Sequence, residues 1–101
     1  MYNVAICGAS GYTGSELLRL LTNHPFVKVT AVTSEKSAGG YITDMFPFLC
    51  HYEGLRYEPL VKEELYKKAD IFFMALPHGA SQEAVAYFHK KGKKALLFGN
   101  A

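Results

Sequence analysis

A short β-rich run is joined to the first amphipathic stretch by Gly8-Ala9-Ser10-Gly11-Tyr12-Thr13-Gly14, with glycines spaced G-x-x-G-x-x-G. A glycine where a strand turns admits backbone angles closed to other residues. A second lets a charged group come up against the main chain, and a third lets the following helix lie close on the sheet. A helix opening there presents unpaired N–H groups and its positive dipole end at the same spot. Ser10 and Thr13 add hydroxyl donors. Glycines alone would suit any tight turn, so the context decides: a strand before, a helix after, and a β-α-β unit around both.

That context is legible. Tyr2 to Cys7 is of strand length and type, and Thr13 to about Asn23 is helical, with Leu17, Leu18, Leu20 and Leu21 expected on one apolar stripe. His24-Pro25 closes the helix, because proline disfavours a helical residue before it, and Phe26 to Thr33 alternates with period two as a second strand. Ser34 to Pro47 contains Gly39-Gly40 and no sustained period, which predicts a long loop of the kind that often contacts ligands. Phe48 to Pro59 stays unassigned apart from a short strand around Leu55-Arg56-Tyr57, and Val61 to Ala69 reads as a brief charged helix.

Asp70 to Leu76 is nearly all apolar, as for a strand covered on both faces, and Pro77-His78-Gly79 interrupts it. A helix follows from Ala80 to Lys91, stopped by Gly92, and a last strand from Ala95 to Phe98. Strands separated by helical crossovers require a parallel sheet with right-handed connections, so the expected class is a doubly wound α/β sheet. At 101 residues, half of them hydrophobic, the chain supports a single domain over 1–101.

Composition narrows the function. The formal charge of +2 is small and the lysine pairs sit near helix ends, where cations favour the negative dipole pole. No aromatic-interleaved basic face is evident, so nucleic acid is not an expected partner. The longest apolar runs are far short of the roughly twenty residues that cross a bilayer. Two cysteines make no disulfide framework and the start carries no charged leader, which predicts a cytoplasmic protein away from membranes.

The second strand ends on Thr33-Ser34-Glu35-Lys36-Ser37, where NAD binders usually carry an acidic residue for the ribose hydroxyls. Ser34 and Ser37, with Lys36, suit a 2′-phosphate and so NADP, whereas Glu35 turned inward would hold an unphosphorylated ribose. Pro77, His78 and Gly79 fall at the carboxyl end of a central strand, where the nicotinamide side is expected. A histidine in such a turn is more often structural than a general acid. Cys50 beside His51 would act as a nucleophile only if the two side chains converged. His24, His51 and His89 have no metal-ligand spacing.

Gly8 to Gly14, the run Glu16-Leu17-Leu18-Arg19-Leu20-Leu21, His24-Pro25, Ser34 to Gly39, and Ala75-Leu76-Pro77-His78-Gly79-Ala80-Ser81 together resemble the N-acetyl-gamma-glutamyl-phosphate reductases of arginine biosynthesis. The resemblance covers nearly the whole chain and implies a Rossmann-type NADP domain. It further implies an acyl phosphate attacked by a cysteine thiolate, with phosphate released and the thioester reduced by NADPH to N-acetylglutamate semialdehyde. Carried over by position, Ser10, Gly11, Tyr12, Thr13 and Gly14 hold the pyrophosphate, Ser34 and Ser37 the 2′-phosphate, and Pro77 to Gly79 the nicotinamide end.

The family's cysteine and its histidine partner fall in a later segment, and neither Cys7 nor Cys50 matches. This chain is therefore expected to bind cofactor without turnover. Leu97-Phe98-Gly99-Asn100-Ala101 departs from the family's Asp-Leu-Ser-Ala-Asp-Phe-Arg-like continuation, and an uncovered sheet edge there favours self-association. Neighbouring readings are an aminoadipyl-phosphate reductase of lysine synthesis, an aspartate-semialdehyde dehydrogenase, and a nucleotide-binding module without catalysis.

Overall fold

A computed structural model describes residues 1–9, 11–76 and 78–97, with backbone alone for 78–80. Among the described residues five strands, β1 (Tyr2–Cys7), β2 (Val27–Thr33), β3 (Tyr57–Glu58), β4 (Ile71–Met74) and β5 (Lys94–Leu97), form one sheet in the order β3-β2-β1-β4-β5. Every pairing is parallel. The helices are α1 (Tyr12–Leu21), α2 (Ile42–Met45), α3 (Lys62–Leu65) and α4 (His78–Lys90), with a 3-10 turn at Cys50–Tyr52. This is the doubly wound class expected, and the order reverses between β1 and β4.

β1 shows why the sheet is covered twice. Side chains alternate along a strand, so Val4 and Ile6 enter one core with Leu17, Leu18, Ile42 and Tyr57, while Ala5 and Cys7 enter the other with Leu65, Phe72, Met74 and Phe88. The rings of Phe72 and Phe88 stack with centroids 3.9 Å apart, pinning α4 to β4.

Some expectations fail locally, each for a physical reason. Leu20 is 64% exposed; with 3.6 residues per turn it lies at the margin of the stripe set by Leu17, Leu18 and Leu21. The helix stops at Leu21, before His24-Pro25, and the Thr22 hydroxyl donates back to the Leu18 carbonyl. The strict alternation of the second strand is broken, because the register with β1 slips between Val4–Val29 and Ala5–Ala31. Thr30 is the extra residue, a bulge that lets Val29 and Val32 face the same core, and its hydroxyl donates to the Lys68 carbonyl at 2.7 Å.

The predicted loop of 34–47 contains α2. The extra strand is Tyr57–Glu58, preceded by an isolated antiparallel bridge between Tyr41 and Arg56. The charged helix contracts to Lys62–Leu65, whereas α4 begins at His78, two residues before Ala80. The last strand runs Lys94–Leu97; the Phe98 end of the predicted strand lies outside the described residues.

Candidate dinucleotide site

The turn after β1 is built from behind by β2. The Gly8 amide donates to the Thr33 carbonyl (3.1 Å) and hydroxyl (3.2 Å), and the Ala9 amide donates to the same carbonyl at 2.8 Å. The Tyr57 hydroxyl, whose ionisation is pushed up by burial, donates to the Ala9 carbonyl at 3.5 Å. Thr33 and Tyr57 thus position the turn without belonging to it. Sequence reading missed both, since the only signal was a Thr closing β2 and an aromatic in a two-residue strand.

The three glycines divide by what a side chain would meet. Gly8 has φ +84°, and a Cβ on it would stand 2.6 Å from the Ala75 carbonyl oxygen, at the gap between β1 and β4. On Gly14 it would stand 2.5 Å from the Ala9 Cα and 2.6 Å from the Gly8 oxygen. On Gly11 it would meet nothing nearer than the Gly8 oxygen at 3.9 Å, and the backbone there is extended, with φ −83°. The chain's own packing therefore demands glycine at 8 and 14 and not at 11. Gly11 is exposed, and its bare surface is open to a group from outside.

Gly11 is the N-cap of α1 and offers no side-chain cap. The amides of Tyr12, Thr13 and Gly14 have no partner among the described residues; the first to be satisfied is Ser15, which donates to the Gly11 carbonyl at 2.9 Å. Amides left without an intrahelical acceptor at a helix start are of the kind that suits an anion. Tyr12 is exposed and Thr13 half-buried, both on this first turn. Ser10 and Pro77 lie outside the described residues. His78 and Gly79 open α4 next to the end of β4, which brings backbone of that helix start to the same edge of the sheet.

After β2, Ser34 is buried and its hydroxyl accepts the Ser37 amide at 3.0 Å, so it shapes the turn that carries half-buried Ser37 and exposed Lys36. The Glu35 carboxylate accepts the Leu60 amide at 3.0 Å, which commits it to the connection after β3.

Burial pushes the Cys7 thiol up to about 12, against a hydrogen bond to Thr33 that lowers it. Cys7 is thus a protonated packing residue at neutral pH. Cys50 is exposed on the 3-10 turn; the adjacent His51 and Tyr52 line a depression with Val27 and Lys28 at the amino end of β2, the far end of the sheet from the glycine turn. A thiol reagent at mildly alkaline pH is expected to modify Cys50 within minutes and Cys7 only on unfolding. Two equally fast thiols would contradict that burial. Among the described residues no group of His, Cys, Asp and Glu could hold a metal, and no helix is long and apolar enough to cross a membrane.

A glycine turn at the switch point of a doubly wound sheet, with free helix-start amides, defines a dinucleotide-binding domain. The chain belongs to the semialdehyde dehydrogenase NAD-binding domain family, whose match covers residues 3–97. It is 51% identical over 96 residues to the N-acetyl-gamma-glutamyl-phosphate reductase of Geotalea daltonii, covering 95% of this chain and 28% of that protein. The reductase of the same name from Methanococcus maripaludis is 47% identical over 95 residues, 91% of this chain and 27% of that protein.

Among solved structures, an aspartate semialdehyde dehydrogenase with NADP from Candida albicans superposes with a TM-score of 0.78 at 20% identity, over 96% of this chain and 29% of that one. One from Vibrio cholerae gives 0.77 at 22% identity, over 99% and 32%. These likenesses concern the fold. The chain spans less than a third of the length of the curated relatives it matches.

Proposed function

We propose that this chain is the NADP-binding part of a reductase that converts N-acetyl-gamma-glutamyl phosphate to N-acetylglutamate semialdehyde in the cytoplasm. The observation that carries the cofactor half is the set of amides at Tyr12, Thr13 and Gly14, unpartnered among the described residues, beside the open face of Gly11. They would hold the pyrophosphate, Ser10 adding its hydroxyl, while Pro77, His78 and Gly79 would line the nicotinamide end. The phosphorylated cofactor is favoured because the Glu35 carboxylate accepts the Leu60 amide, which draws it away from the turn that carries Ser37 and Lys36. Identities near 50% to the arginine-pathway reductases, against about 20% to the aspartate enzymes, favour the acetylglutamyl substrate.

Fluorescence titration should give NADPH binding at least ~10-fold tighter than NADH, a difference of about 1.4 kcal/mol. Tighter NADH binding, or none of either, rejects the cofactor reading. The chain by itself is expected to show no reduction of the acyl phosphate, since Cys7 is locked as a thiol and Cys50 sits at the far end of the sheet. Measurable turnover by the 101 residues would overturn this.

Leu96 and Leu97 are each 51% exposed on β5, an edge strand among the described residues, and this edge is the route by which the chain would self-associate. Sedimentation velocity across a concentration series tests that, a single monomeric species throughout being the contrary result.

A further inference from the structure

The end of the sheet opposite the glycine turn concentrates positive charge that the cofactor site does not use. Topology brings Lys28 at the start of β2, Lys67 before β4, Lys90 and Lys91 at the end of α4, and Lys93 and Lys94 at the start of β5 to this one pole. Asp70 lies among them. These six lysines and Asp70 sum to +5, and since the chain has a formal net charge of +2, its other charged residues sum to −3. The ion pairs among the described residues are Arg19–Glu16, Lys62–Glu83 and Lys68–Glu58, so these six lysines have no carboxylate partner.

Compensation of a helix dipole accounts for Lys90, Lys91 and the two lysines just past a helix end, Lys67 and Lys93, but not for Lys28 and Lys94, which stand on strands. The Lys91 ammonium lies 5.0 Å from the Tyr66 ring centre and 5.6 Å from that of Tyr87, and Lys67 lies 5.8 Å from Tyr66. A basic face interleaved with aromatics therefore exists, contrary to the expectation from sequence, where the residues are scattered.

Between the starts of β1, β4 and β5 is a depression of about 540 Å³, walled by Tyr2, Ile71, Lys93 and Lys94 with Asp70 also lining it. Tyr2 is 59% exposed, and Phe26, whose carbonyl accepts the Tyr2 amide at 2.8 Å, is 66% exposed. Apolar exposed rings rimmed by unpaired cations match a protein surface that is apolar at its centre and acidic around it.

We propose that this pole docks an acidic peptide segment of another protein, with an apolar side chain seated in the depression. A peptide fits better than a nucleic acid for two reasons. The depression offers Tyr2 and Ile71 to an apolar side chain, which a peptide has and a nucleic acid lacks. Tyr66 and Tyr87 already carry lysine ammoniums on their rings and are poor platforms for bases.

The probe is a short fluorescein-labelled poly-glutamate peptide with a central pair of leucines, followed by anisotropy at low salt on the 101-residue chain. Binding should weaken at least ~10-fold in the Lys67→Gln, Lys91→Gln, Lys94→Gln triple variant. It should change less than about twofold in the Arg19→Gln, Lys36→Gln, Arg56→Gln triple, which removes the same charge elsewhere and whose folding is read from its melt. Replacing the leucines by glutamine should cost affinity as well.

Equal loss in both triples would reduce the effect to net charge and overturn the proposal. So would displacement by single-stranded DNA or anionic vesicles at lower concentration than by unlabelled peptide, or no binding to the wild type. NADPH titration and thermal melts report whether each variant is folded. If the pole triple is not, the Lys→Arg triple must retain binding for the proposal to stand.

Discussion

Gly11→Ala is expected to leave the melting temperature nearly unchanged while weakening NADPH binding by ~10- to 100-fold, the worth of one strong charge-assisted hydrogen bond. The stability half follows from two small opposed terms. Alanine is a poorer N-cap than glycine by roughly 0.5–1 kcal/mol. It also removes about 0.4–1 kcal/mol of unfolded-chain freedom, at a φ of −83° that it adopts without strain. The terms cancel, and the new Cβ has 3.9 Å to its nearest neighbour.

The binding half follows from the space outside. A phosphate oxygen accepting the amides of Tyr12 to Gly14 must come to about 2.9 Å from each nitrogen, and a methyl on the preceding residue stands in its way. Paired melts and titrations of wild type and variant check both halves. Unaltered NADPH affinity in a folded variant would mean that the pyrophosphate sits elsewhere.

How much of this was legible in the sequence depends on the range of the physics. The strands, α1, α4 and the switch point follow from periodicity and from where glycine and proline stand, which are local properties. The glycine turn was legible for the same reason. The division of labour among its glycines was not, because it depends on Ala75, which arrives from β4 more than sixty residues away in sequence. Thr33 and Tyr57 escaped notice because their role consists of hydrogen bonds to the main chain of the turn. The Thr30 bulge escaped because an inserted residue in one strand is defined only against its partner. Glu35 remained ambiguous until the connection after β3 supplied the Leu60 amide. The basic pole was invisible because its lysines come from three separate stretches of the chain, at the α1–β2, α3–β4 and α4–β5 connections.

Gly14→Ala should instead unfold the chain more easily, lowering the melting temperature by roughly 8–16 °C, although the same substitution in an exposed helix would stabilise it. Alanine gains up to ~1 kcal/mol over glycine inside a helix. Here the added Cβ would sit 2.5 Å from the Ala9 Cα and 2.6 Å from the Gly8 oxygen. Both are backbone atoms of the turn, so no rotamer change relieves the overlap. Only a shift of α1 away from β1 does, and that loosens Leu17 and Leu18 in the core.

Overpacking of this kind costs about 1–3 kcal/mol, occasionally more; overlap with two backbone atoms puts it at about 3, and less the helix gain of ~1 the net loss is about 2 kcal/mol, converted at about 4–8 °C per kcal/mol for a domain of this size. The displaced helix also carries the amides of Tyr12 and Thr13 with it, so cofactor affinity should fall in the fraction that remains folded. Thermal denaturation followed by circular dichroism decides the matter. A melting temperature equal to or above that of the wild type would mean that α1 does not rest on the turn as closely as these distances require.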